Sequence, residues 1–547
     1  MYTYRYFLLP FFILTVSAGL FSISLAQSTF SPVWRTVPWD SGGLHPSSIV
    51  WSMMKSELDL DNDGKKEFLL STAWSGVYHN AVYLYEYAGN NNYQNIWSYS
   101  FYPYSNDYSA VAVADLDGDG RKEILCLIDP YDSTYHGFYV FEWNGMDNGF
   151  PSLPTATWNL NLTAAFDEGT AIIAGDFDND GRDEVAVAFQ ERYSTPKSRF
   201  MIFSLAPGST FQNPVWNIEF QDSTTFAYVG YALEATDLDR DGRKEIVAVG
   251  WEPLHLAFYE HTGVPNSYGR AANVYLNDIT IDLSNMGFAE ANYDNNATNE
   301  LYVGTGNGRV YVVTNPGDVS QITSNNITLL HSYNPYRGIA GVSKGDIDGN
   351  GVPELYLAGS YHEAVFQWKY AGGSVTDPQN YQKATVFQDD TTDSITPGSD
   401  QGWFRPSKVS VGDFDNDGRP DMVIASASFA RDKPILTVVE MGPASVQLLD
   451  EQASGFMLEQ NYPNPFNPST YIKFRIPELR GQKSEVNNVL LKVYDMLGRE
   501  VATLTNEPLQ SGRYSVRWNA AGMPSGVYYA RLTAGGFTET KRMTLLK

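Results

Sequence analysis

The run Asp115-Leu-Asp117-Gly-Asp119-Gly120-Arg-Lys-Glu123 decides how this chain folds. Acidic side chains stand at its first, third and fifth positions, a glycine at the sixth, and an acid returns at the ninth. A β-rich run precedes it, Ala110-Val-Ala-Val-Ala114, and another follows, Glu123-Ile-Leu-Cys-Leu127. A third run carries aromatics, Phe138-Tyr-Val-Phe-Glu-Trp143, and a fourth centres on tryptophan, Ala156-Thr-Trp-Asn-Leu160. Alternation and β-branched or aromatic content mark all four as strands, with the acidic loop joining the first to the second.

The same unit recurs along the chain. The acidic loop reads Asp59-Leu-Asp61-Asn-Asp63-Gly64-Lys-Lys-Glu67 in the first copy. It returns at Asp176–Glu184, Asp237–Glu245, Asn292–Glu300, Asp346–Glu354 and Asp413–Asp421, giving seven copies in all. Successive starts differ by 56, 61, 61, 55, 54 and 67 residues. Four strands in about 60 residues make one propeller blade, so we expect a seven-bladed β-propeller over residues 28–442. The seventh copy lacks a tryptophan strand. Pro32-Val-Trp-Arg-Thr-Val37 resembles Pro214-Val-Trp-Asn-Ile-Glu219 of the third copy. The N-terminal strand is therefore expected to complete the last blade and remove two open sheet edges.

Aspartates at positions 1, 3 and 5 converge around a sharp turn that the glycine permits. The carbonyl at position 7 and the acid at 9 complete an oxygen cage, and hard oxygen ligands select Ca²⁺. The expected ligands are Asp59, Asp61, Asp63, Lys65 and Glu67; Asp115, Asp117, Asp119, Arg121 and Glu123; Asp176, Asp178, Asp180, Arg182 and Glu184; and Asp237, Asp239, Asp241, Arg243 and Glu245. The later copies add Asp346, Asp348, Asn350, Val352 and Glu354, then Asp413, Asp415, Asp417, Arg419 and Asp421. Position 7 enters through its backbone carbonyl. The fifth copy, Asn292–Glu300, keeps two carboxylates and has Ala297 in place of glycine, so it should be weak or empty. About six structural calcium ions are expected.

Composition agrees. The 547 residues carry a net charge of −26, which excludes a nucleic-acid partner, because phosphates need Lys and Arg. Twenty-five of the 63 acids occupy the loop positions: four in each of five copies, three in the sixth and two in the fifth. The single cysteine, Cys126, lies in a strand run and reads as a small buried residue. Residues 1–26 read as a signal peptide, with Arg5, an apolar run and a small-x-small site at Ser24-Leu25-Ala26. No later stretch is apolar enough to span a membrane.

These loops between paired β runs resemble the FG-GAP/VCBS repeats of integrin-α-like propellers, the VCBS variant more nearly, because the Phe-Gly…Gly-Ala-Pro phrase is missing. The resemblance implies the fold and calcium at the acid positions. It leaves the function open, because the family holds adhesins, lectin-like binders and polysaccharide lyases.

The loops on the side opposite the metal loops are rich in aromatics and histidine. Trp74, Tyr78, His79, Tyr135, His136, Trp251, Tyr361 and His362 are candidate ligand-binding residues, as are Trp403 and Arg405 in the long loop expected over 389–407. His255 belongs to the same expected set of loops. Such side chains offer flat faces for stacking and polar edges for hydrogen bonds. The expected work is binding of a glycan or protein rather than catalysis, with a polysaccharide lyase on the same scaffold as the alternative. No phosphate loop, serine elbow or zinc-protease helix motif occurs.

The repeats stop near Gly442. A linker is expected over 443–455 and a small β-sandwich over 456–547, with strands at Tyr471–Ile476, Val489–Tyr494, Tyr514–Trp518, Val527–Leu532 and Lys541–Leu545. Asn461-Tyr-Pro-Asn-Pro-Phe-Asn-Pro-Ser-Thr470, Val493-Tyr-Asp-Met-Leu-Gly-Arg-Glu-Val501 and Ser525-Gly-Val-Tyr528 resemble the type A C-terminal sorting domain of the type IX secretion system. That resemblance implies the secretion machinery as a partner and a secreted or outer-surface destination.

Overall fold

The computed structural model describes residues 30–36, 51–73, 81–89, 92–101, 110–128, 137–159, 171–190, 198–225, 229–250, 255–276, 287–333, 338–347, 351–359, 364–388, 404–416, 420–428, 435–441, 447–450, 456–467, 469–477, 486–509, 512–520 and 523–546. The expected signal peptide, 1–26, lies outside them. Apart from three short 3-10 turns, every regular element described is a strand.

Seven four-stranded antiparallel sheets follow one another through residues 30–441. The second is Ala110–Ala114, Glu123–Ile128, Gly137–Glu142 and Ala156–Asn159, the four runs read from the sequence. The other sheets repeat that order. Each acidic loop joins the first strand of its sheet to the second. The first strand of each sheet packs against the first strand of the next. Trp51–Leu58 of the first sheet packs against Phe404–Gly412 of the seventh, so the row closes into a propeller-type ring.

The second strands explain the packing. In Glu184–Gln190 the side chains alternate between two faces, and both faces are buried. Val185, Val187 and Phe189 pack toward the second sheet, whereas Ala186 and Ala188 pack toward the fourth. One apolar cluster fills each of the seven junctions between neighbouring sheets.

The closing seam is built like the others. Phe30–Arg35 pairs antiparallel with Leu436–Met441 and completes the seventh sheet, as the sequence leads us to expect. Its Trp34 meets Tyr85 and Tyr93 of the first sheet at 5.6 and 5.3 Å. Trp97 of the first sheet meets Phe141 of the second at 5.0 Å, and Trp158 of the second meets Phe203 of the third at 4.8 Å. A fourth-strand tryptophan thus caps the next sheet at three junctions, one of them the seam. Aromatic pairs of this kind contribute about 0.5–1.5 kcal/mol beyond area burial.

Two further sheets lie at the C-terminal end. One orders Gln447–Asp450, Gly512–Asn519, Ser469–Ile476 and Met457–Leu458. The other orders Glu500–Leu509, Val486–Tyr494, Gly526–Ala534 and Phe537–Leu545. One core that includes Leu458, Ile472, Leu491, Trp518 and Leu532 joins them. Two expectations need correction. The segment read as linker, 443–455, contains the strand Gln447–Asp450, which pairs with Gly512–Asn519; four residues are too few to show a period. Glu500–Leu509 is a strand that the sequence reading does not include. Pro508 argues against a central strand, yet this one lies at the edge of its sheet, where proline is tolerated.

Candidate metal centres

The acidic loops share one internal geometry. The position-1 carboxylate accepts from the N–H of glycine 6: Gly120 to Asp115 at 2.9 Å, Gly181 to Asp176 at 3.0 Å, Gly351 to Asp346 at 2.7 Å. The position-5 carboxylate accepts from the N–H of position 7: Lys65 to Asp63, Arg121 to Asp119 and Arg243 to Asp241, each at 2.8 Å. Glycine 6 sits in the left-handed region, with φ of 87° at Gly64 and 85° at Gly120. Position 4 does too, which the sequence reading missed: Asn62, Asn179, Asn295 and Asn416 have φ between 54° and 62°, and Gly118 has 74°. The signal was the recurrence of Asn or Gly there, the residues that tolerate this conformation best. Arg240 is the exception, held at φ 57°.

The acid at position 9 opens the second strand and is buried. In all seven copies one of its oxygens accepts from the N–H of position 2, as Glu67 does from Leu60 at 2.7 Å and Glu123 from Leu116 at 2.8 Å. The other oxygen of Glu67, Glu123 and Glu245 is buried without a hydrogen bond. Burial, reinforced by the neighbouring aspartates, pushes these carboxyls up: Glu67 and Glu245 to about 8, Glu123 and Glu184 to about 9.

Side-chain oxygens of Asp59, Asp61, Asp63 and Glu67 lie within 4.8 Å of one another. The same holds for Asp115, Asp117, Asp119 and Glu123; for Asp176, Asp178 and Glu184; and for Asp237, Asp239 and Glu245. Oxygens bound to one Ca²⁺ at about 2.4 Å can stand no more than about 4.8 Å apart, so these donor sets fit one ion. Asp180 and Asp241 fall outside the tight sets; Arg243 holds the Asp241 carboxylate by hydrogen bonds from Nε and Nη2. Among the later expected ligands, Asp346, Val352, Glu354, Asp413, Asp415 and Asp421 are described, and Asp348, Asn350, Asp417 and Arg419 lie outside the described residues.

A second acid on the third strand also went unread. Glu86, Glu142 and Glu260 stand directly opposite Glu67, Glu123 and Glu245 in the sheet register. The basic side chain at position 7 reaches across to each: Lys65 to Glu86 at 3.0 Å, Arg121 to Glu142 at 2.6 Å, Arg243 to Glu260 at 2.7 Å. In the sixth sheet the base comes from the third strand instead. Position 7 is Val352, and Lys369 on the third strand pairs with Glu354 at 3.2 Å.

Neighbouring loops are bonded to one another. Asp115 N–H donates to Asp183 at 2.7 Å, Asn179 donates to the carbonyl of Gly242 at 3.1 Å, and Asn299 N–H to that of Leu238 at 2.7 Å. Across the seam, Asn416 donates to the carbonyl of Gly64 at 2.7 Å.

The aromatic face fares differently. Trp74, Tyr78, His79, Tyr135, His136, Trp251, Tyr361, His362 and Trp403 lie outside the described residues. Arg405 is not in a loop: it lies in the strand Phe404–Gly412, opposite Ala427. His255 is corrected likewise. It begins the strand His255–His261, is buried, and stacks on Tyr275 with centroids 3.9 Å apart. Cys126 is a fully buried strand residue, as expected.

The sorting-domain phrase proves to be a clasp. Asn461 and Thr470 both donate to the carbonyl of Pro463, at 3.0 and 2.7 Å. Phe466 is buried against Trp518, with centroids 5.4 Å apart. The Phe466 N–H donates to Thr544, and its carbonyl accepts from Leu546, which ties the last strand in place.

Family comparison finds an FG-GAP-like repeat over residues 59–126 and a secretion system C-terminal sorting domain over residues 460–545. No curated protein matches. Among solved structures, a rhamnogalacturonan lyase PL11 from Bacillus licheniformis is 13% identical, with a TM-score of 0.41 and 75% of each chain covered. YCF48 from Cyanidioschyzon merolae is 10% identical, with a TM-score of 0.40, covering 75% of this chain and 98% of its own. An N-acetylglucosamine-recognising lectin from Agrocybe aegerita is 12% identical, with a TM-score of 0.35, covering 63% of this chain and 81% of its own. Among the described residues no helix is long and apolar enough to cross a membrane. The chain is thus an all-β, propeller-type protein with an FG-GAP-like repeat, secreted or placed at the cell surface by a C-terminal sorting domain.

Proposed function

We propose that this protein is a calcium-stabilised propeller, exported by type IX secretion, that binds a glycan or a protein through the loops opposite its metal loops. The observation that carries the calcium part is the recurring set of converging carboxylates, three of which include a buried glutamate oxygen without a hydrogen bond. Ca²⁺ there would neutralise charges that otherwise repel across a few ångströms. Asp59, Asp61, Asp63 and Glu67 would hold it in the first loop, with the Lys65 carbonyl, and the corresponding residues would do so in the next three. The sixth loop should bind more weakly, because Lys369 already neutralises Glu354. At ten times its dissociation constant each ion adds ~1.4 kcal/mol, so several together rival a domain's whole stability margin.

The ions are structural, and the domain divisions are 28–442 for the propeller and about 447–547 for the sandwich. Binding is the proposed work, rather than catalysis. A glycan array in calcium-containing buffer tests it. Saturable retention without new unsaturated sugar ends supports binding. Unsaturated ends, read by their ultraviolet absorbance, would replace it with a lyase.

A further inference from the structure

Among the charged side chains on the inner strands are Lys55 in Trp51–Leu58, Glu234 in Val229–Thr236 and Lys408 in Phe404–Gly412, none of them at a metal-loop position. The first and fourth sheets share no junction; the first packs against the second and seventh, the fourth against the third and fifth. Lys55 nevertheless interacts electrostatically with Glu234, and also with Lys408. An interaction between those two sheets has to cross the central channel. Lys408 reaches further still. Its Nζ lies 2.8 Å from the place a Cβ on Gly287 would occupy, beside the fifth sheet, so glycine there leaves room for the ammonium. A hydrogen bond of 2.5 Å between the Ser56 and Ser410 hydroxyls ties together the two strands that carry the lysines.

Lys55 is half-buried, and burial drives its proton affinity down, with Lys408 adding to the effect. Among the described residues no hydrogen bond or close ion pair satisfies its ammonium. A desolvated cation left in this state is costly unless an anion meets it. The trio carries a net charge of +1 inside a chain of −26. That charge matches one carboxylate; a dianion would be opposed by Glu234.

We propose that the central channel holds an anion site in which Lys55 and Lys408 together bind a single carboxylate group, with Glu234 limiting the bound charge to one. None of the three residues belongs to the metal loops. It fits a small carboxylate or the acidic end of a larger ligand.

The test uses the full chain in saturating Ca²⁺. Its thermal midpoint is followed against sodium glucuronate, with glucose, sodium sulfate and sodium chloride at matched ionic strength as controls. A saturable rise with glucuronate alone is expected. Lys55→Met and Lys408→Met should each weaken that response at least tenfold, and Glu234→Gln should strengthen it. The Glu234→Gln arm keeps the test decisive if a lysine variant fails to fold. No glucuronate response in the unaltered protein, an equal response in the lysine variants, or a stronger response to sulfate would each overturn the proposal.

Discussion

The ring and the C-terminal sandwich are both all-β and neither has a disulfide to hold it, since the only cysteine is the buried Cys126. They are held in different ways. The sandwich closes over one continuous apolar core, with the Asn461–Thr470 clasp fixing its last strand. The ring divides its apolar surface among seven junctions and gathers carboxylates at one turn of each sheet. A closed ring has no end from which to fray, but it fails if any junction opens. The difference teaches that the ring gathers charge which, on the function proposed above, a cation would have to neutralise, whereas the sandwich closes over apolar side chains.

The largest expected effect comes from opening the ring. Deleting residues 28–40 removes the strand Phe30–Arg35 and exposes the edge of Leu436–Met441. Loss of the cooperative unfolding transition of the ring is expected by calorimetry. Phe466→Ala attacks the other region. It should cost the sandwich about 3–5 kcal/mol and leave the ring's midpoint unchanged.

Proton binding separates the regions next. In chelator the folded ring holds Glu67, Glu123, Glu184 and Glu245 well above the ordinary carboxylate range, so the folded state binds protons more tightly than the unfolded one. Stability from those protons is fully present below about pH 4.5 and is lost as pH rises through 8–9. The urea midpoint of the chelated ring should therefore fall between pH 5 and pH 9, and Ca²⁺ should abolish the fall. Glu123→Gln sharpens the point. It should stabilise the chelated ring at pH 8 and cost the calcium-loaded ring about 1.4 kcal/mol, a sign change that simple loss of packing would not give. The smallest effect belongs to Arg240, held at φ 57°. Arg240→Gly should raise stability by about 0.5–1 kcal/mol, read as a shift in the urea midpoint.

Much of this was legible because the repeat is short-range. Acid spacing and strand alternation in Asp115–Glu123 gave the loop, and seven copies gave the ring. The tryptophan of Pro32–Val37 gave even the closing strand. What the sequence hid was pairing across strands. Nothing local in the sequence marks Glu86 or Glu142; only the register sets them opposite Glu67 and Glu123. His255 read as a loop residue because nothing local marks where a strand begins. Lys55 and Glu234 are separated by 179 positions, the difference of their numbers, and only ring closure brings them together. The strand Gln447–Asp450 was too short to announce itself, and Glu500–Leu509 was masked by its proline.

Calorimetry of the full chain in 1 mM Ca²⁺ and again in excess EGTA tests the central claim most directly. The expected result is two transitions in calcium, of which the ring's falls by many degrees in EGTA while the sandwich's stays in place. Superimposable scans in calcium and EGTA would contradict it.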